Sequence, residues 1–171
     1  MPFPPLAQRF EQLEELLQIA HRMWQGDETP YAGMHYQLVR PLNAPNSVQR
    51  PHPPIMIGGS GERKTLRLVA QYADACNLFD LPGTEFADNL PHKLAVLRKH
   101  CADLGRDYAT IEKTVASRFT DTAELLARLR ELAAIGFDHV LVTPGGPWDD
   151  RTLDAVAALL PAVHALAGTA D

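Results

Sequence analysis

The residues best suited to chemistry form a glycine-rich run that follows a short apolar segment. Gly58, Gly59, Ser60 and Gly61 stand there in sequence, and an apolar pattern typical of a helix begins after Thr65. The first N–H groups of a helix have no partners within the helix, and its dipole is positive at this end. Glycines let the backbone approach a ligand closely, while the two hydroxyl groups are further hydrogen-bond donors. These five residues are therefore predicted to bind an anion, most often a phosphate group.

Two familiar phosphate-binding motifs fail to match this run. A Walker sequence needs a glycine immediately before the pair Lys64 and Thr65, where this chain has Arg63. A dinucleotide fingerprint that starts at Gly59 would place its third glycine at Lys64. Arg63 and Lys64 either add positive potential near a phosphate or are solvated. A tight turn without a ligand remains the alternative interpretation of the run.

Short apolar strands alternate with amphipathic helices after residue 54. The predicted strands are 54–57, 75–79, 111–119 and 140–142, with helices after residue 61, from Pro91 to Gly105, from Asp121 to Gly136, and from Leu153 to Val163 with a bend at Pro161. The apolar run 54–57 suits a strand covered on both faces. Such alternation predicts a parallel sheet, either an open doubly wound sheet or part of a (β/α)8 barrel.

Two further segments precede this alternation. A helix that ends before Gly26 is predicted from an apolar stripe, which consists of Leu6, Phe10, Leu13, Leu17, Ala20 and Trp24. Residues 27–54 are rich in proline but not in glycine or serine, so we expect an ordered insertion with a short hairpin at 31–38. Pro82 and Gly83 predict a turn later in the chain.

Composition excludes several classes of function. The chain of 171 residues has a net charge of −5, which offers no general basic face for nucleic acid. No apolar run approaches the roughly 20 residues of a membrane span. Cys76 and Cys101 are too few for a disulfide framework and are expected to be buried thiols of a cytoplasmic protein. Seven scattered histidines do not have the spacing of a metal site.

Other polar residues lie where barrels collect functional groups, at the C-terminal ends of predicted strands. Asp80 is a candidate to line a pocket there. Thr143, Gly145 and Gly146 form either a second polar rim or only a turn. In the insertion, His35 and Tyr36 either border a pocket or belong to a surface loop.

The run from Arg50 to Phe79, RPHPPIMIGGSGERKTLRLVAQYADACNLF, resembles the luciferase-like monooxygenase superfamily, in particular its branch of F420-dependent oxidoreductases. Four flanking segments are similar to the family as well: 9–24, 31–38, 93–107 and 136–142. The resemblance implies a (β/α)8 barrel that binds a reduced deazaflavin, F420, or alternatively FMN, at its C-terminal mouth. By the same resemblance, Gly58, Gly59, Ser60, Gly61 and Thr65 would hold the cofactor phosphate. The implied chemistry is hydride transfer or oxygen activation with a small-molecule substrate.

The resemblance covers only the C-terminal half of the family, as a single domain over 1–171. About four strands make half of an eight-stranded barrel, and the half that supplies the usual catalytic side chains has no counterpart here, so no catalytic residue is assigned. The outer strands of a half barrel expose unpaired backbone groups, which predicts a homodimer that completes the sheet. Two other functions stay open: a non-catalytic half barrel that dimerises and keeps a vestigial anion site, and a doubly wound nucleotide-binding module.

Overall fold

The computed structural model describes residues 3–81, 89–119, 121–144 and 146–167. The predicted turn at Pro82 and Gly83 lies outside the described residues, as does Gly145 of the predicted rim. Spatial contacts divide the chain into two compact units, Met1–Ile55 and Met56–Asp171. A single domain over 1–171 stays a prediction.

The first unit consists of a helix and the hairpin of the insertion. Helix α1 is Leu6–Trp24, and strands β1 (Tyr31–Ala32) and β2 (Gln37–Leu38) pair antiparallel, which confirms the predicted hairpin. Glu15 of α1 accepts hydrogen bonds from the backbone N–H groups of residues 34, 35 and 36 at the hairpin turn. The helix therefore holds the hairpin turn through a carboxylate.

The predicted apolar stripe of α1 is only partly correct. Leu17 and Ile19 are buried, whereas Leu6 is 59% exposed. Trp24 stacks on the ring of His52, with 5.3 Å between ring centroids. The apolar stripe is only partly buried because α1 contacts the insertion largely through a row of polar side chains, which consists of Glu11, Glu15, Gln18 and Arg22. An apolar stripe alone gives no sign of such a row.

The second unit alternates strands and helices. Its elements are β3 (Met56–Gly58), α2 (Thr65–Tyr72), β4 (Ala75–Asp80), α3 (Leu90–Asp103), a 3-10 turn at Tyr108–Thr110, β5 (Glu112–Arg118), α4 (Thr122–Ile135), β6 (His139–Thr143), α5 (Asp150–Ala157) and α6 (Leu160–Ala167). The four strands β3 to β6 are all parallel, as the alternation predicts.

The strands follow one another in the sheet in chain order, β3-β4-β5-β6. Right-handed crossovers between such consecutive parallel strands put their helices on the same side of the sheet. A doubly wound sheet would instead reverse its strand order at a switch point. The order therefore excludes the doubly wound alternative and agrees with a segment of a barrel wall.

The two faces of the sheet differ in character. Ile57, Leu78 and Val115 share one face and are buried, since this face carries the helices. The opposite face, called here the open face, includes Met56, which is 48% exposed. The prediction that 54–57 is covered on both faces is therefore wrong, because helices cover only one of them.

The helix ends follow the local sequence signals closely. Asp121 caps α4 by accepting hydrogen bonds from the N–H groups of Ala123 and Glu124, and Gly136 ends the helix in the left-handed region at φ 106°. The final predicted helix is interrupted rather than bent, since α5 ends at Ala157 and α6 begins at Leu160. Proline at the second position of α6 fits a helix start.

Among the described residues, no helix has the length and apolar character that crossing a membrane requires. No group of three or more His, Cys, Asp or Glu residues there is arranged to hold a metal ion.

Candidate functional site

The glycine run forms the turn between β3 and α2. β3 ends at Gly58, and the N–H of Gly59 donates a hydrogen bond of 2.9 Å to the carbonyl oxygen of Asn77 on β4. Gly59 has a φ of +117°, which side chains rarely allow, so glycine is needed for the chain to leave the strand here. The loop therefore starts at the C-terminal edge of the sheet.

The loop leaves several backbone donors available. The carbonyl of Gly61 accepts from the N–H of Leu66 at 3.0 Å, which ties the loop to the first turn of α2. No side chain caps this helix. Within the described ranges, no hydrogen bond uses the N–H groups of Ser60, Gly61, Glu62 or Arg63. Successive unpaired N–H groups beside a helix start form a concavity that suits an anion.

Thr65 lies close beneath the glycines. Its side chain is buried, and a β-carbon added to Gly61 would lie 2.8 Å from its hydroxyl oxygen. A β-carbon on Gly59 would lie 3.4 Å from its methyl carbon, whereas one on Gly58 would meet nothing nearer than 3.9 Å. The structure therefore brings Gly59, Gly61 and Thr65 together. The steric requirement for glycine is strongest at Gly61.

Helix α3 holds the middle of the loop through Glu62. Lys93 Nζ lies 2.5 Å from Glu62 Oε1, and His92 Nε2 lies 3.3 Å from the same oxygen. His100 Nε2 lies 2.8 Å from the carbonyl oxygen of Glu62. The hydrogen bond from Lys93 holds the pKa of the Glu62 carboxyl below its usual range. Sequence reasoning missed these contacts, because 30 or more positions separate the partners and no local pattern links them.

The open face adjoins the loop and is largely apolar. Phe79 is 43% exposed and Leu141 37%. The same face carries a polar pair: Thr114 Oγ1 is 3.0 Å from Asn77 Oδ1, and Asn77 stands opposite Gly58 in the sheet register. Sequence reasoning missed Asn77, although a polar residue within an apolar strand was a usable signal.

Asp80 does not belong to the open face. It is completely buried and accepts two hydrogen bonds from Arg128 of α4, at 2.6 and 2.8 Å, and one from Ser117 Oγ at 2.9 Å. The hydrogen bonds with Asp80 raise the pKa of the Arg128 guanidinium. The structure therefore gives Asp80 a role in attaching a helix to the sheet, and the alternation of side chains along β4 explains why.

The remaining candidates have structural partners or lie away from the loop. Burial raises the pKa of the Cys76 thiol to about 11, so it is a poor nucleophile at neutral pH. Cys101 is buried too, as predicted. Thr143 Oγ1 donates to the carbonyl oxygen of Ser117 at 3.2 Å. His35 pairs with Glu11 at 3.0 Å within the first unit.

Comparison with known proteins agrees with this geometry. The sequence model of the luciferase-like monooxygenase family matches residues 3–151. The structure is similar to that of an F420-dependent secondary alcohol dehydrogenase in complex with an F420-acetone adduct, with a TM-score of 0.78 and 13% identity. That match covers 95% of this chain and 64% of the other.

Two more solved structures share the fold at lower similarity. A long-chain alkane monooxygenase has a TM-score of 0.58 and 18% identity, over 80% of this chain and 38% of its own. A riboflavin lyase with modified FMN and riboflavin has a TM-score of 0.59 and 13% identity, over 79% and 34%. The chain thus spans between 34% and 64% of the lengths of these proteins, which confirms a partial (β/α)8 barrel. Because the family match runs through most of the sequence and the fold agrees with it, the chain belongs to the luciferase-like monooxygenase family.

Proposed function

We propose that this chain binds the phosphate group of a deazaflavin or flavin through Gly58, Gly59, Ser60, Gly61 and Thr65, as part of an oxidoreductase for a small molecule. The observation that carries the proposal is the set of N–H groups at 60–63 without partners among the described residues, beside the start of α2. The similar dehydrogenase is F420-dependent, which favours F420, and the lyase with FMN keeps FMN as the alternative.

The loop and the open face would have separate roles in binding a cofactor, because they lie at different places on the sheet. A bound ring would supply the redox chemistry, either hydride transfer or reaction with oxygen. The loop would hold the phosphate, while Phe79 and Leu141 present apolar surface on the adjoining face. Apolar surface of this kind excludes water from a reacting ring. No residue of this chain is assigned a catalytic role.

A second copy of the chain is the partner that we propose. Each outer strand, β3 and β6, has one neighbour among the described strands, so each leaves a row of backbone groups without strand partners. The exposed apolar residues of the open face also favour burial against a partner. Association about a twofold axis would bring eight parallel strands together. A cytoplasmic location is proposed too, since both cysteines are free thiols.

Titration of the purified protein with F420 and with FMN tests the phosphate site. Fluorescence and thermal shift should both report binding, because a ligand that binds the folded state stabilises it by mass action. Gly59→Val should abolish binding, since φ at this position is +117° and a side chain would crowd Thr65. Gly146→Ala is the control and should bind normally, because Gly146 is outside the proposed phosphate site and a β-carbon there meets no atom within 4 Å. Unchanged cofactor affinity in Gly59→Val contradicts the assignment.

A non-catalytic half barrel is the second candidate function. It is favoured by the short span of the chain relative to the similar enzymes, 34% to 64% of their lengths. This candidate predicts binding of inorganic phosphate or sulfate without cofactor turnover. Turnover of F420 or FMN by the purified chain excludes it.

A further inference from the structure

We propose that helix α3 sets the anion affinity of the glycine loop through Glu62, with Lys93 and His100 as positioning residues. The inference rests on the proposed phosphate site and concerns how that site is kept suitable for a negative charge. Glu62 is central to it, because this residue brings a carboxylate into a loop whose N–H groups would otherwise suit an anion.

The side chain of Glu62 is drawn toward α3. Lys93 Nζ contacts Glu62 Oε1 at 2.5 Å, and the Lys93 side chain is only 17% exposed. His92 approaches the same oxygen at 3.3 Å. A partly buried ammonium this close offsets most of the field of the carboxylate. Lys93 also holds the carboxylate on α3, and without it the Glu62 side chain is free to turn toward the N–H groups of the loop, where its charge would repel a phosphate.

The backbone of Glu62 is held by the same helix. His100 Nε2 donates to the Glu62 carbonyl oxygen at 2.8 Å, which requires the ring proton on Nε2. The peptide bond after Glu62 is trans, so the N–H of Arg63 points opposite to that carbonyl. Because His100 draws the carbonyl toward α3, the Arg63 N–H points away from His100. One of the four unpaired donors is thereby oriented.

These contacts make a charge effect separable from a simple effect on folding. Lys93→Met should weaken binding of inorganic phosphate and of FMN about tenfold, a size typical of coupling between sites. Glu62→Gln should lose much less, because the repelling charge goes with the carboxylate. In the double variant, Lys93→Met should then have almost no further effect, because no carboxylate is left to hold on α3, whereas a direct attraction of Lys93 for the phosphate or a purely structural role would keep the loss.

The matched controls lie on the same helix. Lys99→Met removes a positive charge from an exposed pair with Asp103, so phosphate affinity should change less than twofold. His100→Leu should weaken binding, while His100→Gln should restore it, since its amide N–H can donate in place of Nε2–H. The melting temperature of each ligand-free variant shows whether it folds.

Isothermal titration of the wild type and variants with phosphate and FMN gives the decisive comparison. A tenfold loss in Lys93→Met that disappears in the Glu62→Gln background supports the inference. Equal affinity in the wild type and Lys93→Met overturns it and leaves the proposed function standing. If the wild type binds neither phosphate, FMN nor F420, the inference and the proposed function both fail.

Discussion

Asp80 and Asn77 belong to the same strand but face opposite sides of the sheet. Asp80 is buried against α4 with Arg128, while Asn77 lies on the open face beside the glycine loop. The glycines could be found from sequence, because their positions relative to a strand and a helix are local. The partners Glu62 and Lys93, like Asp80 and Arg128, could not, since only the fold brings such distant positions together.

Arg128 is the main partner of the buried Asp80 carboxylate. Arg128→Met should lower the free energy of unfolding by about 3 kcal/mol, because among the described residues it leaves the fully buried Asp80 carboxylate with Ser117 as its remaining donor. Urea denaturation followed by circular dichroism measures this. Arg130→Met, an exposed change on the same helix, should cost under about 0.5 kcal/mol. Equal stability of the two variants would show that the Asp80 pair contributes little.

Elements were predicted best where their signals are local. All four strands of the sheet and both ends of α4 follow from apolar runs, a capping aspartate and a terminal glycine. Burial was predicted less well, because it depends on what packs against an element. Leu104 and Leu153 belong to apolar stripes, yet they are 37% and 51% exposed. The polar row of α1 likewise becomes meaningful only once the hairpin is in place.

The carboxylate of Glu15 attaches the hairpin to α1. Burial alone would raise the pKa of Glu15, but hydrogen bonds from the backbone N–H groups of 34–36 outweigh it and hold the pKa of this carboxyl below its usual range. A carboxyl whose folded pKa is lowered stabilises the fold above the unfolded pKa, and this stability disappears as pH falls through the folded value. The Glu15→Gln variant should therefore have a lower melting temperature than the wild type at pH 7. As the pH falls, it should lose less stability than the wild type does.

Melting temperatures between pH 3 and pH 7 test this expectation. Glu124→Gln is the control, because Glu124 is exposed at the start of α4 and its acid response should match the wild type. An acid profile of Glu15→Gln that runs parallel to the wild type would contradict the role of the carboxylate.

The second unit consists of a four-stranded parallel sheet with helices on one face and exposed apolar residues on the other. This architecture was predictable from the alternation of strands and helices together with the family resemblance. The choice between an open doubly wound sheet and a barrel segment was not predictable from the alternation, because it depends on strand order in space.

Two copies of the chain are expected to associate through the open face and the outer strands. Light scattering should give twice the chain mass at micromolar concentration, because the open face and both outer strands offer contact surface to a second copy. Leu141→Glu should shift the protein to the monomer by placing a charge on that face. Leu153→Glu, at an exposed position of α5, should leave the mass unchanged. A stable wild-type monomer at this concentration would rule out the proposed dimer.

The length of the outer strands decides what could hold such an assembly together. β3 has three residues and β6 has five, so backbone pairing between them can extend over at most about 10 Å. Backbone pairing over so short a seam contributes little, and the apolar side chains of the sheet must supply most of the attraction. Because hydrophobic attraction weakens on cooling, the proposed dimer should dissociate more readily at low temperature. Added sulfate should lower its dissociation constant.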